Sequence, residues 1–211
     1  MQDEKKEDNL RKQDPIALLR EVLETIAFVV VAVIIIRFFV GEIRWIPSGS
    51  MHPTLWEGDR IFVERVSRFY AAPERGDVMI FYPPFVEIDN SFSGVFKRLT
   101  GFFCKDIAYI KRVVGMPGDK LEIRANSDGS HSVLVNDEEL NEPYIKSKDE
   151  YIRCNEKMMC GPFIVPEGNY FMMGDNRGNS QDSRFWGFLP KDRFIGKALF
   201  LFWPLNHAKG L

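Results

Sequence analysis

The segment from Ile26 to Ile36 is an unbroken apolar run, and no other stretch of the chain is as hydrophobic. Such a run must leave water, either into lipid or into the middle of a core. Extended from Val22 to Val40, it approaches the ~20 residues a helix needs to cross a bilayer. Glu24 would then sit at one headgroup layer and Arg37 would snorkel toward the other. The expectation is a transmembrane anchor over 22–40 after a charged tail over 1–21, with Asp14-Pro15 marking the helix start. One alternative is a core helix, for which an all-apolar circumference is unusual in a chain of 211 residues. The other is a cleavable leader. Against it, no small-x-small site follows promptly, and the tail already carries Asp3, Glu4, Glu7 and Asp8.

Lys5, Lys6, Arg11, Lys12 and Arg20 precede the run, against Arg37, Arg44 and Arg60 after it. This bias predicts a single-pass protein with a cytoplasmic N-terminus and everything after residue 40 outside the cytoplasm, with the lipid bilayer as a partner. With 28 Lys+Arg against 30 Asp+Glu, the formal net charge of -2 gives no global attraction for nucleic acid, and none is expected as a partner.

After residue 41 the chain changes to short β-branched and aromatic runs punctuated by Gly, Pro and Asp. Strands are expected at 59–64, 77–82, 107–114, 120–124, 132–135, 163–165, 169–173 and 196–202, so the fold class is mainly β. The more polar stretch 125–160 reads as an inserted β-hairpin subdomain interrupting a catalytic core of 41–124 and 161–211. In residues 92–103, Phe92, Val95, Phe96, Leu99, Phe102 and Phe103 recur at helical spacing with Lys97 and Arg98 between them. That pattern fits a helix packed on the core or one resting on a membrane surface.

Pro47-Ser48-Gly49-Ser50-Met51-His52-Pro53 follows the apolar segment closely. Its residues describe an ordinary surface turn or a nucleophilic serine held at a membrane. A nucleophile needs a base, and the three histidines suit the role poorly. His52 would have to fold back on its own backbone, His131 lies in a turn of the insertion, and His207 is near the C-terminus. Lys111 is the alternative, set in the apolar strand pattern Tyr109-Ile-Lys-Arg-Val-Val114, where either Lys111 or Arg112 must face inward. Burial lowers a lysine pKa, and a fall from about 10.4 to about 8 costs roughly 3 kcal/mol. A third cluster, Gly174 to Arg184, is a polar loop in which Asp182 and Arg184 could pair and Ser180 could orient a base. Each segment alone also reads as ordinary surface structure.

Together the segments resemble type I signal peptidase, a membrane-bound protease with a Ser-Lys dyad. The resemblance rests on Ile46 to Leu55, Arg75-Gly-Asp-Val-Met-Ile-Phe81, Tyr109 to Lys120, and Gly174-Asp-Asn-Arg-Gly-Asn-Ser-Gln-Asp-Ser-Arg184, in the family's order after an anchor. It implies Ser50 as nucleophile, Lys111 as general base, and Ser180 as the residue orienting Lys111, with Asp182 and Arg184 in support. The Ser50 N–H and Ser48 hydroxyl would form the oxyanion hole, and Ile46, Pro47, Met51, Leu55, Tyr109 and Ile110 would wall sites for small P1 and P3 residues. It further implies signal peptides of exported preproteins as substrates, contact with the secretion machinery, a bacterial inner-membrane location, an antiparallel β core, and no metal or cofactor. Cys154 and Cys160 have the spacing of a disulfide found in some members; Cys104 would be left over. Gly178 stands where many members carry Asp, and the single anchor contrasts with two in some members. A mitochondrial-type processing peptidase and a non-catalytic membrane-anchored β module are the remaining alternatives. A self-cleaving repressor is disfavoured, because the anchor occupies the place of a DNA-binding region.

Overall fold

The computed structural model describes residues 15–100, 107–145 and 158–211. The chain starts with α1 (Pro15–Ile35), continues through a π-helical turn (Ile36–Val40), and enters β1 (Gly41–Trp45) without a loop. No residue of α1 is buried, which removes the core-helix alternative. Among the described residues no helix is long and apolar enough to cross a membrane. The α-helical part stops at Ile35 and carries Arg20, Glu21 and Glu24 in its first half, while the apolar sequence runs on through the π turn.

Past the helix the fold is antiparallel β. An eight-stranded sheet has the order β1, β2 (Arg60–Glu64), β11 (Phe194–Trp203), β3 (Val78–Phe81), β4 (Tyr109–Gly115), β9 (Asn169–Met173), β10 (Leu189–Pro190), and β12 (Lys209–Gly210) pairs off β11. Strand β3 shows why it lies centrally. Val78 and Ile80 enter one apolar cluster with Ile61, Val63 and Ile110, whereas Met79 and Phe81 enter another with Val113, Met172 and Phe194. Both faces are covered, so the period-two alternation is apolar on each side. At roughly 1.5–3 kcal/mol per buried Val, Ile, Phe or Met, this four-residue strand anchors the sheet.

A second, four-stranded sheet has the order β7 (Glu138–Glu139), β6 (His131–Val135), β5 (Lys120–Ala125), β8 (Phe163–Ile164). The β6–β7 turn places Asn136 at φ 54 and Asp137 at φ 70, the left-handed pair that a tight hairpin demands. Leu121, Ile123, Val133 and Val135 pack with Val114, Phe171 and Met173 of the large sheet. The second sheet therefore reaches back to Lys120 and forward to Ile164, beyond the expected insertion of 125–160, because its apolar face needs β5 and β8 to close onto β4 and β9.

Helix α2 (Phe92–Thr100) carries the aromatic pattern and lies against α1 and the π turn. Phe92 and Phe96 are exposed. Phe102, Phe103 and Cys104 lie outside the described residues, as does Cys154. Cys160 is disulfide-bonded.

Candidate active site

Ser50 lies in a one-turn 3-10 segment, Gly49–Met51, entered from extended Ser48 (φ -143, ψ 153). The turn is pinned from below and from the side. Met51 and Leu55 are fully buried, and Leu55 N donates to the Met51 carbonyl at 2.9 Å. Asn176 donates its N–H to the Ser50 carbonyl at 3.1 Å and its Nδ2 to the Gly49 carbonyl at 2.9 Å. Gly174 makes this approach feasible, since a Cβ there would collide with Ser180 Oγ and the Ser50 carbonyl.

From β4, Lys111 reaches the same point. Its Nζ is 2.7 Å from Ser50 Oγ and 2.9 Å from the Ile110 carbonyl, and the residue is 4% exposed. Burial lowers its pKa from 10.5 to about 8, and Arg184 pushes it the same way, against the Asp182 and Asp175 carboxylates. When the amine is neutral its lone pair faces the serine, and Ser50 becomes the donor. A serine hydroxyl against a neutral buried amine can act as a nucleophile with its own base.

Behind the dyad the charges pair one to one. Arg184 holds Asp182 bidentately, each oxygen at 2.8 Å, and the Gly174 N–H donates to Asp182 at 3.0 Å. Burial pushes the Asp182 carboxyl up, but Arg184 and the Gly174 N–H outweigh it and hold the group below the usual carboxylate range. Arg112 grips Asp175 through Nε (2.8 Å) and NH2 (2.6 Å), and Thr54 donates to the same carboxylate at 2.5 Å. Sequence reasoning turned only one of Lys111 and Arg112 inward. In fact both are buried, because β4 is central and each face is covered. The Arg112 guanidinium lies 4.0 Å from the Tyr144 ring centre. Glu142 completes the set, pairing both carboxylate oxygens with Arg177, whose Nε donates to the Gly174 carbonyl at 3.0 Å. Thr54, Asp175, Arg177, Glu142 and Tyr144 were missed. Asp175 and Arg177 lay inside the quoted loop, but the Glu142 and Tyr144 contacts bridge distant segments and leave no local pattern.

Ser180 Oγ is buried beside the Asp182 carboxyl, which it helps to hold low, while the Lys111 amine bonds Ser50 and Ile110. His52 is turned away, with its Nε2 2.7 Å from Glu57 and its ring 4.0 Å from that of Trp56. His207 stands 3.5 Å from Asp59. Neither serves Ser50.

An open cleft of ≈ 410 Å³ leads to the dyad, with Pro47, Ser48, Tyr109 and Ile110 in its wall together with Ile107, Ala108, Asn179 and Gln181. The other expected wall residues, Ile46, Met51 and Leu55, are instead buried in the core, where they pack with Ile61 and Leu201 beneath the nucleophile turn. Apolar residues next to a reactive turn are as easily its foundation as its lining, and only the fold distinguishes them. Among the described residues no cluster of His, Cys, Asp and Glu could hold a metal.

A family model described as signal peptidase, peptidase S26, matches residues 19–203. A signal peptidase I from Leptolyngbya laminosa is 38% identical over 89% of this chain and 81% of its own length. A probable signal peptidase I from Synechocystis is 37% identical over 88% of this chain and 73% of its own. Among solved structures, a signal peptidase I from Enterococcus faecalis V583 aligns over 60% of this chain and 96% of its own at 26% identity, with a TM-score of 0.41. With a match that starts within α1 and runs to the end of β11, the chain belongs to the signal peptidase family, peptidase S26.

Proposed function

We propose that the chain cleaves signal peptides from exported preproteins, after small residues at P1 and P3, with Ser50 as nucleophile and Lys111 as general base. The 2.7 Å approach of a buried Lys111 amine to Ser50 Oγ carries this reading. Ser50 Oγ attacks the scissile carbonyl as Lys111 takes its proton, and the oxyanion is met by the Ser50 N–H and the Ser48 hydroxyl at the cleft lip. Lys111 then protonates the leaving amine, giving an acyl-enzyme. Next it draws a proton from the water that releases the product. Ser180, beside Asp182 in the resting site, orients Lys111 as the amine turns over, and the Asp182–Arg184 pair supports the loop behind it. Pro47, Tyr109 and Ile110, with Ile107 and Ala108, give the cleft an apolar wall that suits short apolar side chains.

The same reading puts α1 and the π turn in a bacterial inner membrane, N-terminus in the cytoplasm and cleft outside. Support comes from β1, whose register with β2 and β11 lines up Ile43, Phe62 and Phe200 in one row and Trp45, Arg60 and Trp203 in the next. Ile43, Trp45, Phe200 and Trp203 are exposed there, and the Phe62 and Phe200 rings stack at 5.2 Å. A Trp-rich face joined directly to an apolar helix suits a headgroup layer.

The test is processing of a preprotein bearing Ala-X-Ala before its cleavage site, in detergent, by the full chain. Ser50→Ala and Lys111→Ala are each expected to lower kcat by about 10⁴-fold or more. Wild-type inactivity, or activity retained by either variant, overturns the mechanism.

A further inference from the structure

Where the apolar helix meets the sheet, three guanidiniums gather on a single carboxylate. Glu42, turned inward from β1, accepts from Arg44 Nε at 2.7 Å and from Arg37 NH2 at 2.9 Å, and Arg65 NH1 stands 3.9 Å away. Arg65 also donates to the Arg37 carbonyl at 3.0 Å, near the end of the helical run. Glu64, the neighbouring acid, is engaged elsewhere, accepting from the Ser67 N–H at 2.9 Å and from the Ser67 hydroxyl. Among the described residues the cluster therefore holds a surplus of two positive charges, and a helix C-terminus offsets only about half of one.

That surplus is directed outward. The Arg65 side chain is 7% exposed, whereas those of Arg37 and Arg44 are 34% and 33% exposed. The Nε–H groups of Arg37 and Arg65 are buried without partners, so the collar is under-supplied with acceptors as well as with negative charge. Capping the helix end accounts for Arg65, and pairing Glu42 accounts for one more arginine. The third remains unexplained by the fold. On the non-cytoplasmic side of a membrane, where Lys and Arg are scarce, such a collar at the end of an apolar helix calls for an external anion.

We propose that Arg37, Arg44 and Arg65 form a binding site for a phosphate-bearing anion, presented by the headgroup of an anionic phospholipid beside α1. The proposal rests on the reading of α1 as lipid-embedded. Planar guanidiniums meet phosphate oxygens in pairs, which suits a diester headgroup better than a diffuse negative surface.

The full chain in neutral detergent is titrated with short-chain phosphatidylglycerol, short-chain phosphatidylcholine and inorganic phosphate, against an Arg37→Gln/Arg44→Gln variant and Arg44→Gln alone. Saturable binding of phosphatidylglycerol is expected, with zwitterionic phosphatidylcholine not saturating. At about fivefold per basic residue, Arg44→Gln weakens binding about fivefold and the double variant about 25-fold. Arg44→Lys, which keeps the charge but not the fork, recovers part of the loss. Equal affinity in wild type and Arg44→Gln, or equal binding of both lipids, overturns the site. Inorganic phosphate binding as tightly as phosphatidylglycerol overturns the lipid as its occupant. Cleavage of a preprotein in detergent by Arg44→Gln stays at the wild-type rate, so a failure of the lipid site is distinguishable from a failure of the proposed peptidase activity.

Discussion

Two regions of this molecule bury arginine, and they resolve the charge in opposite ways. Behind the dyad Arg112, Arg177 and Arg184 each have a carboxylate of their own, in Asp175, Glu142 and Asp182. At the helix–sheet junction Arg37, Arg44 and Arg65 share Glu42. The difference bears on Lys111. Among the described residues each of these carboxylates has a guanidinium, none is paired with Lys111, and the lysine answers burial by holding its proton less tightly, at a pKa of about 8. At the junction the cations cannot do this, because arginine does not deprotonate, and the charge stays.

Breaking the one-to-one pairing gives the largest effect. Asp175→Asn strands the Arg112 guanidinium in a buried site and is expected to cost about 3–5 kcal/mol, read as a lowered denaturation midpoint of the full chain in detergent. Because Asp175 raises the Lys111 pKa, its loss also moves the acid limb of the kcat/KM profile to lower pH. An unchanged midpoint would mean that the pairs are not what holds the loop.

Lys111→Met sharpens the comparison from the other side. The folded pKa of Lys111, about 8, lies below its unfolded value of 10.5, so between these values the unfolded chain binds more protons and stability rises with pH. Below pH 8 the lysine is charged in both states and the folded state carries the full penalty, about 3 kcal/mol. The variant is expected to be inactive yet more stable by about that amount at pH 6.5, with the advantage gone above pH 10.5. In the wild type, activity climbs with pH through about 8 as the amine becomes neutral. Equal stability of the two proteins at pH 6.5 would place the lysine in water.

The smallest effect is the most discriminating between bases. His52→Ala changes cleavage by no more than about twofold, because His52 pairs with Glu57 outside the dyad, whereas loss of a true base costs 10²–10⁴-fold.

Most of the β core is legible in the sequence, since β2, β3, β4, β5, β6, β9 and β11 carry β-branched runs closed by turn residues. Strand β1 escapes because it is inside out. Glu42 faces inward to its arginines while Ile43 and Trp45 face outward, so a pattern that equates apolar with buried misreads it. Ser50 and Lys111 are recognisable from their motifs, yet their meeting 61 residues apart depends on the β3–β4 pairing and on Asn176 tying the two loops. Ile46, Met51 and Leu55 lie buried beneath the nucleophile turn, which their sequence alone could not say, because hydrophobicity marks a residue as hidden from water without saying what hides it.

The chain leaves its helix and begins its sheet at adjacent residues, Val40 and Gly41, with β1 pairing at once to Glu64. With α1 in lipid, this makes the helix a fixed post. On the proposed reading the cleft would not swing on a tether, and its height above the bilayer would follow from the helix–strand junction. A substrate whose own apolar helix lies in the same membrane would then be cut at a distance measured from that surface, and the fold would work as a ruler as well as a blade.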